Sequence, residues 1–298
     1  MMSFEVILWS AALPVVALVN MVAWAMAAAV LWRRQDLLVT RVLASRRLQL
    51  LLSAGYVFGC AYRSVLPVFD VPRVTLVNSV LSSAAVGRSV ATIAELCFIA
   101  QWALMLRDTS RATGSVVGSL AARIVVPMIF VAEICSWYSV LTTSNLGHVF
   151  EESLWSVATA LIVASLLADW QRWDIRWRTA SVWLATAGIG YFLYLVLVDV
   201  PMYWLRWVAD ELAGKTYLSL GQGLLNASGP HVVSYGWKVW KSEMAWMAAY
   251  FSVAVWVSIW LVHAPVPSAR LSVRRQRLRI PFGIPGFGVL VWRRVRSS

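Results

Sequence analysis

Charge is scarce in this chain and uneven where it occurs. Only 13% of its 298 residues are charged, 14 are acidic, and arginine supplies nearly all of the basic side chains. A soluble domain carries about 25% charged residues, so this composition excludes a water-soluble globular fold. With 60% of residues hydrophobic, it excludes a disordered chain as well. Cysteine is limited to Cys60, Cys97 and Cys135. Each lies inside an apolar run without CxxC spacing, which rules out a zinc ribbon and a disulfide framework; the three read as small buried hydrophobes. The three histidines, His148, His231 and His263, are far apart, and no HExxH sequence is present, so zincin-type metalloprotease chemistry is excluded.

Long apolar runs are abundant. A membrane span takes about 20 mostly apolar residues, and seven runs qualify: 5–31, 49–66, 76–105, 119–142, 148–168, 181–204 and 243–263. The first begins behind Met-Met-Ser-Phe-Glu, without a basic segment, and is too long for a signal-peptide core. It reads as a retained helix bent at Pro14. The expected fold is therefore all-α: a polytopic bundle of about seven transmembrane helices forming one membrane domain, 1–263, with an outer loop at 207–241. Residues 264–298 read as a basic cytoplasmic tail rich in Pro, Gly and Arg, held on anionic lipid by charge. Gly55 and Gly59 form a GxxxG on the second span, which permits close approach of another helix.

The net charge of +12 is not spread as a nucleic-acid-binding stripe, and no nucleic-acid partner is expected. The arginines fall in short segments between spans: Arg33 to Arg47, Arg107 and Arg111, Arg172 to Arg178, and Arg270 to Arg296. These alternate with the seven spans. The positive-inside rule places all four in the cytoplasm, with the N-terminus outside. A plasma membrane or bacterial inner membrane is the expected location. Trp32, Trp170, Trp173 and Trp177 then fall at inner helix ends, and Trp204, Trp207, Trp237 and Trp240 at outer ones, as interfacial belts.

Ionisable groups inside spans are costly and mark functional sites. Arg63 lies in the second span, Arg88 and Glu95 in the third, and Glu133 in the fourth; His148, Glu151 and Glu152 open the fifth, and Asp199 lies in the sixth. On the alternating topology they collect in the outer half, with Glu95 slightly to the inner side of its span's centre. Arg88, Thr92 and Glu95 share one helical face, as do Glu133, Ser136 and Trp137, and Asp199 with Tyr203. The economical arrangement is one outward-open polar cavity lined by the second to sixth spans, with the inner halves sealed. Its two arginines face five carboxyl groups, an excess that calls for bound protons or a cation.

Two functions of different class fit. The first is a membrane-embedded enzyme acting on a lipid-soluble or extracytoplasmic substrate, with Glu95, Glu133 and Asp199 as catalytic candidates and Arg63, Arg88 and Tyr203 as substrate-binding ones. The second is a proton- or cation-coupled transporter, or a receptor for an anionic small molecule. His148, Glu151 and Glu152, an i, i+3, i+4 set, are candidate ligands for one divalent metal ion. Membrane lipids and a small-molecule or lipid substrate are the expected partners. Other seven-span enzymes and photoreceptors are set aside. The alkaline ceramidase and adiponectin-receptor type needs three zinc-binding histidines, and retinal proteins need a lysine midway along the last span. The prenyl-protein proteases share a Glu-Glu pair, but the arginine and later histidines that accompany it are missing here. The third-span charges, seven residues apart, are expected to find partners on other helices: Arg88 with Glu133 or Asp199, and Glu95 with a hydroxyl, Tyr56 or a bound cation.

Overall fold

The computed structural model describes residues 3–170, 173, 175–229 and 231–265. The expected tail lies beyond them except for its first two residues. The chain runs α1 (Phe4–Arg33), α2 (Thr40–Val65), α3 (Ala84–Thr113), α4 (Val116–Thr142), α5 (Leu146–Ala168), α6 (Ile175–Tyr194), α7 (Val200–Leu212), α8 (Leu220–Ser228), α9 (Trp237–Ala249) and α10 (Val255–His263). A π-turn at Leu195–Asp199 joins α6 to α7, and another at Tyr250–Ala254 joins α9 to α10. Each pair is thus one long helix with a single widened turn. The molecule is a multi-pass helical membrane bundle. Among the described residues, six helices are long and apolar enough to cross a bilayer: Phe4–Arg33, Ala84–Thr113, Val116–Thr142, Leu146–Ala168, Trp177–Leu212 and Trp237–His263.

The second expected span, α2, has the length but not the apolarity. Its position explains its composition: it packs against α1, α3 and α10 and so faces protein on several sides. Gln49 and Gln101 exchange side-chain-to-backbone hydrogen bonds at 3.0 Å. Ser258 donates to the Gln101 side chain at 2.6 Å and reaches Ser53 at 3.0 Å. The half of the bundle away from the sequence-selected charges, expected to be almost wholly apolar, thus contains a polar layer in which all but Gln49 Oε1 of these side-chain groups are hydrogen-bonded within the protein.

Close approach of α2 and α3 depends on the expected glycines. A Cβ on Gly55 would lie 2.5 Å from Cys97 Sγ, and one on Gly59 would lie 2.8 Å from the Ala94 methyl. The α3–α4 hairpin closes through Gly114 in the left-handed region (φ 70°) and Ser115, whose hydroxyl accepts from Gly118 N–H at 3.1 Å. Pro201 explains the first π-turn: it has no N–H to donate backwards, and its ring crowds the preceding turn. At the second, the Asn20 side chain of α1 donates to the freed Phe251 carbonyl at 2.7 Å.

Three expectations change. The loop at 207–241 is largely structured, because the sixth helix runs on to Leu212 and α8 lies against α4. The fold is not purely helical: β1 (Val68–Phe69) pairs antiparallel with β2 (Val74–Thr75), which pairs in parallel with β3 (Val232–Val233). Arg73 ties this small sheet to the helices, donating to Asn226 Oδ1 at 2.9 Å and to the Val140 carbonyl at 2.5 Å. Finally, Trp173, Trp177 and Trp240 are buried core side chains, not belt residues, whereas Trp32 and Trp204 are exposed.

Gly147 begins α5 against α4, where a Cβ would run into the Cys135 carbonyl oxygen, whereas Gly190 on α6 has open space around it. Gly147→Ala should therefore cost about 1–3 kcal/mol by overpacking. Gly190→Ala should be neutral or add up to about 1 kcal/mol of helix propensity. In one detergent, the thermal midpoint of purified Gly147→Ala should fall below the wild-type value and that of Gly190→Ala should equal or exceed it.

Candidate functional site

The sequence-selected charges converge because each sits on the bundle-facing side of its helix. Arg88, early on α3, forms a charge-assisted hydrogen bond to Glu133 of α4. It also bonds Glu151 of α5 at 3.2 Å and reaches Glu95, two turns along its own helix, at 3.5 Å. All four side chains are buried. Thr92, one turn from Arg88, donates to Glu133 at 2.6 Å and accepts from Trp137 Nε1 at 3.1 Å. His148 Nδ1 meets Glu151 at 2.7 Å, and its ring packs 4.9 Å from that of Tyr203.

The expected partnership of Arg88 with Glu133 is present, and the alternative with Asp199 is not. Glu95 does find a hydroxyl, but from Tyr250 in the second π-turn, at 3.2 Å. Tyr56 instead stacks on Phe98, ring centres 4.5 Å apart. The intrahelical reach from Arg88 to Glu95 is closer than the seven-residue spacing implies; the length of the two side chains closes the gap.

The cluster forms one wall of a cavity of about 560 Å³. Arg63, Arg88, Glu95, His148, Glu151, Glu152, Asp199 and Tyr203 all line it. Glu133 does not: it stands behind Arg88, and α4 contributes no lining residue. Its place near the reacting space is thus indirect, as an anchor for Arg88 and Thr92. The lining also differs from expectation in including the ninth helix and its π-turn, and the β1 segment Val68 to Val71, which lies across the polar end. The cavity is therefore bounded at that end by β1 and the residues after it as well as by helices.

Sequence reasoning passed over Glu243, a buried acid at the start of the seventh run. It accepts from Trp246 Nε1 at 2.8 Å and pairs with Arg206 at 3.3 Å. The rule that selected the other acids would have found it, and Tyr250, seven residues on, shares its face.

Carboxylate oxygens of Glu95, Glu133 and Glu151 lie within 4.8 Å of one another, close enough to hold a cation. The Arg88 guanidinium already bonds all three, so this cluster carries its own cation. The expected metal set is arranged otherwise. Glu151 is committed to both His148 and Arg88, while the Glu152 carboxylate, one residue on, makes no hydrogen bond or ion pair among the described residues and faces the cavity. One guanidinium amid three carboxylates leaves a surplus of negative charge, which a bound proton offsets.

Removing Arg88 strands these carboxylates. Arg88→Ala should cost about 3–5 kcal/mol, the usual penalty for breaking a buried pair. Arg88→Ala combined with Glu133→Gln should recover part of that loss. Folded yield and thermal midpoint of the two variants measure it; a double variant worse than the single one contradicts the pairing.

No protein-family model matches the chain, and no curated protein and no solved structure is similar to it at a significant level; the reading of the site rests on its own geometry.

Proposed function

We propose that the chain is a membrane-embedded enzyme of seven spans, α2 being the seventh, with its N-terminus outside and C-terminus cytoplasmic. Its substrate is lipid-soluble or extracytoplasmic. One observation carries this reading: buried acids gather at one end of a cavity whose other end is lined by apolar side chains, so the polar groups mark one side only. An enzyme needs one mouth; a transporter needs an inward path as well. In this reading Glu95, held by Tyr250 and adjoining Arg88, exchanges a proton with substrate. Glu152 and Asp199 supply further acids on the facing wall; Asp199 Oδ1 has no hydrogen-bond partner among the described residues. Arg63 binds an anionic group, Arg88 holds the acids in place, and Tyr203 orders His148.

A second reading, a proton- or cation-coupled transporter, draws on the Gln49–Gln101–Ser258 layer below the cavity. Opening that layer would extend a polar path toward the other face.

Two measurements test the proposal. Reporter tags on the termini should place the C-terminus inside; an outside C-terminus overturns the orientation. Purified protein in nanodiscs, incubated with a lipid extract and then with polar extracellular metabolites, should consume a compound detectable by mass spectrometry. Glu95→Gln, which keeps shape and removes only ionisation, should express normally and lower that turnover by at least about a hundredfold, the scale of a lost general acid or base. Glu95-dependent flux in proteoliposomes with no compound consumed would favour the transporter.

A further inference from the structure

The cavity is two-sided along its length. Its polar end holds the charges. Its deep end is built from Phe98, Ile99 and Trp102 of α3, Trp155 and Ile162 of α5 and Val257 of α10. A ligand filling both ends has a polar head and an apolar body. Water-soluble metabolites lack the second, and plain hydrocarbons the first.

The wall between α6 and the last helix is thin. Along the bundle each helix packs on its neighbours, but α6 leans on α5, where Gly188 lets Val163 come within 2.6 Å of a would-be Cβ. Facing the other way, α6 and α10 are separated by a second, open and almost wholly apolar cleft of about 520 Å³. Leu184, Ser252, Val253, Trp256, Val257 and Trp260 line it. Leu184, Val253 and Val257 line the main cavity too, so one layer of side chains divides the two spaces. Val253 and Trp256 are 58% and 50% exposed. The cleft is bounded at both ends: Arg206 of α7 bonds Ser242 and Glu243 of α9 at one, and Trp177 of α6 meets Trp260 and the Pro265 carbonyl at the other. Both flanking helices carry a π-turn, a feature that recurs at functional sites.

Arg63 identifies the head group. Its side chain is 4% exposed, lines the cavity, and makes no hydrogen bond or ion pair among the described residues. Trp246 stands 6.0 Å from its guanidinium. A buried guanidinium without a hydrogen-bonded partner is costly, and its forked donors suit phosphate or carboxylate.

We propose that the ligand is a membrane lipid with an anionic head, phosphate or carboxylate, which slides sideways from the bilayer through the cleft between α6 and α10. Arg63 binds its head and the Phe98–Trp102 end holds its chain. The side chains of Leu184, Val253 and Val257, shared by the cleft and the cavity, are the partition that such a lipid passes. The inference rests on the reading of the cavity as a substrate site and names the substrate class.

Photo-crosslinking tests it. The full-length protein goes into phosphatidylcholine nanodiscs with a trace of lipid carrying a diazirine near the chain end: phosphatidic acid, a free fatty acid or phosphatidylcholine. Peptide mass spectrometry then locates the adducts. Phosphatidic acid or fatty acid should label Trp256 or Trp260 in the cleft and Phe98 or Trp102 in the cavity; phosphatidylcholine should not label the cavity. Arg63→Gln should reduce cavity labelling at least about tenfold, the scale of a lost charge-assisted bond, and Arg63→Lys should retain most of it. Should Arg63→Gln fail to fold, Ala187→Trp, which fills the route from the α6 side, should abolish cavity labelling while sparing the cleft. Labelling that is independent of head group and of Arg63, or spread evenly over α1 and α4, overturns the proposal. So does Arg63-dependent binding of inorganic phosphate without chain labelling. Either result leaves the one-mouthed enzyme reading intact, since that reading stands on Glu95-dependent turnover.

Discussion

The arrangement of this bundle depends on one guanidinium. Arg88 joins three helices: its own α3, α4 through Glu133, and α5 through Glu151. Bare charge in a low-dielectric interior is expensive, and only well-formed mutual pairing makes it tolerable. The angular positions of α3, α4 and α5 therefore cannot change independently, because rotating any one of them exposes a charge. That constraint fixes the wall on which Glu95, His148 and Tyr203 are displayed. Thr92 extends it by donating to the same Glu133 oxygen that Arg88 bonds, and Trp137 in turn donates to Thr92.

The polar end of the cavity and the side cleft follow from what is packed around that wall. The charged end is bounded by Phe69 and its neighbours, which rest on Arg206 with the ring 5.2 Å from the guanidinium. Arg206 in turn holds α7 to α9. The chain thus uses arginine in three distinct ways. Arg88 is tied to three carboxylates and structural, Arg206 is a partly exposed clasp, and Arg63 is buried without a hydrogen-bonded partner among the described residues. Composition alone cannot separate these roles, since each residue is one arginine inside or beside an apolar run.

Much of the site was legible in the sequence, for a simple physical reason. In a chain with so few charges, an ionised group inside an apolar run must have a partner in the bundle, so Arg88, Glu95, Glu133 and Glu151 select themselves. Helical periodicity then gives their faces. What was not legible depends on neighbours far away in sequence. Which hydroxyl meets Glu95 is decided by a π-turn at Tyr250, and no spacing rule signals a single widened turn. Glu133 and Glu95 look alike in sequence; only packing shows that one faces the cavity and the other stands behind Arg88. The polar character of α2, with Gln49 and Ser53 among apolar residues, hides its full length from a hydropathy reading, although its burial among α1, α3 and α10 accounts for that composition. The strands at Val68 and Val232 are two residues each, too short to leave a pattern.

The polar layer of Gln49, Ser53, Gln101 and Ser258 has an electrical consequence. A polar cavity reaching into a bilayer carries the potential of the side it opens to down to its floor. The voltage across an energised membrane then falls mostly over the remaining thickness, where this layer sits, and not evenly over the whole protein. Moving one elementary charge through the full drop is worth about 2.3 kcal/mol per 100 mV. Four uncharged side chains, bonded to one another with no mobile proton carrier among them, therefore act as an insulator, and the bundle can keep a nest of ionisable groups within the membrane without short-circuiting it.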